Sequence, residues 1–144
     1  MTMNVSIKEP NGQKKELNDI AEISNLFLMP NPEYWLYGSG DMGIYVQEPP
    51  NPILILVYSK EKNGFFVQLY PKKGPDDWWV AVNDSQNESL VSVYVGGNKT
   101  DIPSNVVISC ENTFRIVEHF MANATTWDGI GWKSYWDIDW PVLE

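Results

Sequence analysis

The side chains with the greatest chemical reach are few: one histidine and one cysteine in 144 residues. A Cys–His nucleophilic pair would require Cys110 and His119 to touch. Both fall in one stretch of helical periodicity, nine residues apart, which is about 13 Å along an axis rising 1.5 Å per residue. A zinc site of nitrogen and sulfur ligands needs three or four such groups. His119, between Glu118 and Phe120, therefore reads as a partly exposed helix residue. The nineteen carboxylates offer more scope. Asp76 and Asp77 precede Trp78 and Trp79, as an acid in the apolar slot of a glycosidase would, but they follow Gly74-Pro75, where solvated Asp is ordinary turn chemistry. Adjacent residues there also point apart. Asp137-Ile138-Asp139 starts like a calcium loop but lacks the glycine at position six and glutamate at position twelve. Gly38-Ser39-Gly40-Asp41 lacks the Lys-Ser/Thr pair of a phosphate cradle. The expectation is no catalytic residue, no metal, no cofactor and no enzymatic activity.

Tryptophan is the remaining anomaly, with seven in the chain. Trp132, Trp136 and Trp140, with Trp127, crowd the last eighteen residues beside Asp128, Asp137 and Asp139 and among Gly129 and Gly131. That is the composition of a loop or an edge strand. Of Trp78 and Trp79, strand alternation turns one inward. Three roles stay open for these rings: core, an anchor for a protein partner, or a stacking platform for sugar. On the partner reading, Trp78, Trp132, Trp136 and Trp140 are the anchors, and Asp76, Asp77, Asp128, Asp137 and Asp139 the charge contacts.

The charge pattern argues against a nucleic-acid partner and leaves a cationic protein partner open. The formal net charge is −9, and ten basic side chains, one of them Arg115, are too few to neutralise a nucleic-acid backbone. Residues 74 to 144 hold eleven acids against three bases, whereas residues 1 to 73 are nearly balanced. An acidic surface of this kind keeps a protein soluble or attracts a cationic partner. One cysteine excludes an intrachain disulfide. The first twenty residues contain Lys8, Glu9, Lys14, Lys15 and Glu16 and no apolar core of a signal peptide, and no apolar run reaches membrane-spanning length. A cytoplasmic protein without membrane contact is expected.

One domain spanning residues 1–144 suits this length. Residues 5–17 read as extended chain broken by the Pro10-Asn11-Gly12 turn. Asp19 and Glu22 have capping-box spacing, followed by Ile20, Ile23, Leu26 and Phe27 on one helical face until Pro30 and Pro32. Strands are expected at Tyr34–Tyr37, Met42–Gln47, Ile53–Ser59, Phe65–Tyr70, Trp78–Asn83 and Leu90–Val95, with polar connectors suited to an antiparallel meander. Ile53–Ser59, apolar nearly throughout, should be central, and Phe65–Tyr70 half-buried. Ser109 and Glu111 open a second, amphipathic helix over about 109–122, whose stripe is Cys110, Phe114, Val117 and Met121 with Ile116 and Phe120. The fold class is α+β: a mainly antiparallel sheet of about five or six strands with two helices packed on it.

The antiparallel strands, then Ile102-Pro103-Ser104 leading through Val106–Ser109 into the helix that ends Phe120-Met121-Ala122-Asn123, with Trp127 just beyond, resemble the first-numbered immunity-protein family of bacterial polymorphic toxin systems. The resemblance covers about Tyr34 to Trp132. It implies an immunity protein (antitoxin) of the contact-dependent growth inhibition kind. Such a protein binds a cognate toxin domain, often a nuclease or deaminase with a basic surface, and blocks its active site or substrate access. A small-ligand or carbohydrate-binding α+β module using the same tryptophans is the alternative.

Overall fold

The computed structural model describes residues 5–46, 52–70, 78–83 and 89–141. The chain opens with a hairpin of β1 (Val5–Lys8) and β2 (Lys14–Leu17), in which Val5, Ile7 and Leu17 are buried. Its turn forms as the sequence suggests: Gly12 adopts φ +88°, and the Asn11 carboxamide oxygen accepts from the Gln13 amide at 2.9 Å. The expected first helix comes in two pieces. Asp19 caps a 3₁₀ turn at Ile20–Glu22, and Glu22 reaches back to the Asn18 amide at 3.3 Å, one residue earlier than a capping box requires. Only then does α1 (Ser24–Leu28) begin, burying Phe27.

The strand expected at Tyr34–Tyr37 is instead helix α2 (Pro32–Leu36). Asn31 caps it, accepting from the Glu33 amide at 3.0 Å, and Pro32 sits in its first turn. Proline there is preorganised for a helix, because its missing N–H would have had no partner anyway. The turn drives Trp35 into the core at 0% exposure, against Phe27, Tyr58 and Phe65, with its indole N–H donating to the Leu26 carbonyl.

The meander then runs through β3 (Asp41–Val46), β4 (Ile53–Ser59), β5 (Gly64–Tyr70) and β6 (Trp79–Val82), each antiparallel to the last. It does not continue into Leu90–Val95. That segment, β7, pairs with β8 (Asn98–Pro103) in a separate two-stranded ribbon against the face of the large sheet. Val91, Val93 and Ile102 of the ribbon join Val57, Phe66 and Val80 in one apolar cluster.

After a 3₁₀ turn at Ser104–Val106, the short β9 (Val107–Ser109) pairs with the first half of β5 and leads into α3 (Cys110–Asn123). Ser109 caps α3 as expected, its hydroxyl accepting from the Asn112 amide at 3.2 Å. Ile116, Val117, Phe120 and Met121 are buried, but Cys110 and Phe114 are only partly covered, and Thr113 takes an inward position the stripe does not mark. Ala124 ends the helix in the left-handed region at φ 57°. The last strand is β10 (Gly131–Ser134), followed by a 3₁₀ turn at Tyr135–Asp137.

The sheet order is β10-β6-β5-β4-β3-β1-β2, with β9 beside β6 along β5. The helices cover one face, over a core that includes Phe27, Trp35, Leu56, Phe65 and Phe120; the ribbon and the C-terminal turn cover the other. This makes β4 central, as its unbroken apolar run implies. It also corrects β5, which is buried from Gly64 to Gln68 rather than half-buried: its second face lies under the ribbon cluster. The α+β class with a mainly antiparallel sheet holds, with ten strands among the described residues. No helix among them is long and apolar enough to cross a membrane.

Candidate functional site

The tryptophan-rich tail converges on the β10 end of the sheet. β10 pairs with β6 in the register Gly131↔Val82 through Ser134↔Trp79, and the ladder is extended by the Tyr135 amide donating to the Trp78 carbonyl at 2.8 Å. Ser134 then caps the following turn through its hydroxyl, which accepts from the Trp136 amide. This turn places Tyr135 face to face with Trp78, ring centroids 3.6 Å apart and planes 5° from parallel. Trp136 stands edge-on to both rings, at 6.1 Å from Trp78 and 5.1 Å from Tyr135. Tyr70 extends the group on the Trp78 side, and Trp140 joins Tyr135 to Phe66 beneath. The edge-on pairs among these add about 0.5–1.5 kcal/mol each beyond area burial.

Polar anchors fix the rings. The Trp78 indole N–H donates to the buried Gln68 carboxamide at 2.9 Å, and the Trp140 indole N–H to the Tyr135 carbonyl at 2.8 Å. On the opposite face of β10, Trp132 packs on the helix-side core and its indole N–H donates to the Trp127 carbonyl at 2.8 Å. The Trp127 ring lies over Gly129, where any Cβ would run into it.

Four of the proposed anchors thus share one region, but not one surface. Trp78, Trp136 and Trp140 belong to the ribbon-side stack, while Trp132 lies on the helix side of the same strand. Trp136 is the open one, at 59% exposure; the other three are partly covered. Of Trp78 and Trp79, neither is fully buried; Trp78 is the one turned inward, onto Tyr135 and the buried Gln68, while Trp79 is exposed. At this outer end the sheet has only β10 beyond β6. Asp137 lies in the turn with Trp136, Asp139 precedes Trp140, and Asp128 lies three residues before β10; all three are exposed. Asp76 and Asp77 fall outside the described residues.

Two contributors escaped the reading of the residues. Tyr135 is the centre of the stack, and Ser134 followed three residues later by Asp137 is the capping pattern that marks its turn. Trp79, at 37% exposure, shows its ring on the helix-side face of the same edge.

Elsewhere the chemistry is sparse. Cys110 and His119 sit near opposite ends of α3. The Cys110 thiol donates to the Asn63 carbonyl at 3.2 Å, and burial pushes its pKa up, away from the reactive thiolate. His119 is held at the helix end by Thr125, at 3.0 Å, and Asn123. Burial and then its bond to Glu9 push the Tyr34 hydroxyl far above the ordinary tyrosine range. No group of three or more His, Cys, Asp or Glu side chains among the described residues is arranged to hold a metal ion. A polar cleft of about 520 Å³ is lined by Asn83, Asn112 and Asp128–Gly131.

Compared with known proteins, the sequence matches no protein-family model, and no curated protein matches it.

Proposed function

We propose that this protein is an immunity protein, a non-enzymatic antitoxin that binds a cognate bacterial toxin domain in the cytoplasm and neutralises it as a tight heterodimer. The toxin, a nuclease or deaminase, is blocked at its active site or at substrate access. The observation that carries this reading is the β10 end of the sheet. There an exposed Trp136 stands on a hydrogen-bonded stack of rings, with Asp137 and Asp139 exposed beside it in sequence and Asp128 exposed at the other end of β10. Among the described residues the single ion pair is Arg115–Glu118, at 3.9 Å on α3, so those three carboxylates keep their charge available. Interfaces concentrate affinity in a few aromatic anchors and use charge to speed encounter. A toxin that acts on nucleic acid carries a basic cleft, to which this end is complementary. The resemblance in the α3 region supports the same class.

The carbohydrate-binding alternative draws on the same open Trp136 ring. Sugar sites are concave, and the cleft beside Asp128 is lined by Asn83, Asn112, Asp128, Gly129, Ile130 and Gly131 rather than by Trp136.

The test is co-expression with the toxin domain encoded by the adjacent upstream reading frame. Protection of the cell, with co-purification of the two proteins at one-to-one stoichiometry, is the expected result. A toxic domain that neither binds nor is neutralised would contradict it, and quenching of tryptophan emission by a glycan would favour the alternative.

A further inference from the structure

The inference concerns how the partner is held, and it rests on the reading of the β10 end as a protein-binding surface. In an antiparallel pair, hydrogen-bonded and non-bonded residue pairs alternate. The Tyr135 amide bonds to the Trp78 carbonyl, so by the β10–β6 register Lys133↔Val80 and Gly131↔Val82 are also bonded pairs. Trp132 and Ser134 therefore turn their backbone N–H and C=O groups away from β6. Among the described residues no strand pairs with that side: β10 is the last strand of the sheet. An open edge of this kind is a template for another strand.

The surroundings of the edge specify the strand that fits. Trp132 flanks it on the helix side, and Tyr135 and Trp136 on the ribbon side, so side chains on both faces of an added strand meet aromatic rings. Asp128 lies three residues before β10 and Asp137 three after it, with Asp139 beyond, so both ends of the added strand meet exposed carboxylates. A second copy of this chain is a poor occupant. Two β10 edges paired antiparallel about a two-fold axis would bring Asp128 of each copy towards Asp137 and Asp139 of the other, and like charges repel.

We propose that β10 binds its partner by β-strand addition. The occupant is an extended segment of the partner protein, with alternating apolar side chains in its middle and Lys or Arg at both ends, hydrogen-bonded to the backbone of Trp132 and Ser134.

The probe is a synthetic peptide, Arg-Thr-Val-Thr-Val-Thr-Val-Thr-Arg, titrated into ¹⁵N-labelled full-length protein. The Trp132 and Ser134 amides should shift saturably at peptide concentrations up to about 2 mM. Methylating alternate peptide nitrogens in the register that bonds β10 should weaken binding at least about tenfold, since it removes donors from the ladder. Glu in place of both Arg residues should weaken it by at least about tenfold as well. Absence of shifts, shifts confined to Lys14 and Glu16, or concentration-dependent shifts without peptide would overturn the proposal, the last by showing self-pairing. A toxin complex in which the Trp132 and Ser134 amides exchange as in the free protein would also overturn strand addition, while leaving the antitoxin reading intact.

Discussion

The two ends of the large sheet solve the same problem differently. β2 and β10 are both four-residue edge strands, each with one side of its backbone unpaired among the described residues. At β2 the exposed side chains are Lys14, Lys15 and Glu16, two of one sign and one of the other on a short strand. Charged side chains of this kind keep an edge from recruiting other chains. At β10 the local charges are displaced to the flanks, at Asp128 and Asp137, and only Lys133 remains on the strand itself. Rings occupy the space between. A sheet that blunts one edge and lines the other with tryptophan is organised for contact at one end. That difference, more than the overall charge, locates the proposed interface.

The largest expected effect lies at Trp136. Replacing it by alanine removes an exposed ring whose supports remain, so affinity for the toxin domain should fall about 30- to 1,000-fold, the cost of a binding hot spot. Stability in urea should fall by only about 1 kcal/mol, the worth of its edge-on contacts with Trp78 and Tyr135, and Lys15→Ala at the opposite edge should leave affinity within about twofold. Isothermal titration and urea melts read the three values. Tyr135→Ala should reverse that split. It removes the ring that stacks on Trp78 and contacts Trp136 and Trp140, so stability should drop by about 2–3 kcal/mol.

Charge gives the next effect. The double change Asp137→Lys and Asp139→Lys should slow association by about tenfold at low salt and flatten its dependence on ionic strength, with a smaller change in dissociation. Stopped-flow mixing at several salt concentrations checks this; an unchanged rate would remove the acidic flank from the account. At the other edge, Lys14→Val with Glu16→Val should strip β2 of its protection and produce concentration-dependent self-association in sedimentation. The smallest expected effect lies far from both edges. Burial raises the Cys110 pKa, so at pH 8 less of it is thiolate than in a free thiol. Alkylation should run several-fold slower than for a model peptide and recover as pH rises.

Local signals legible in the sequence survived wherever the chain's own chemistry decided the outcome. The Pro10-Asn11-Gly12 turn, the Ser109 cap and the apolar run of β4 each form as their residues imply. The reading failed where one residue type serves two purposes. Pro30 and Pro32 end a helix by one rule, yet Pro32 begins α2 by another, and Asn31 was the signal that distinguishes them. Long-range partners were hidden as well. Nothing local in Leu90–Val95 says that its strand leaves the meander for a ribbon with Asn98–Pro103, which then covers β5 on its second face. At the candidate site, the crowding of tryptophan and aspartate marks the segment that forms the β10 end of the sheet. Its division between two faces of β10, and the central place of Tyr135, depend on register, which composition does not carry.

Amide hydrogen exchange of the complex against the free protein measures where a bound toxin domain touches this chain. The expected result is slowed exchange at Trp132, Ser134 and Trp136, with the amides of Lys14 and Glu16 unchanged. Protection confined to the β1–β2 edge or to the exposed face of α3, with residues 131–139 exchanging as in the free protein, would contradict it.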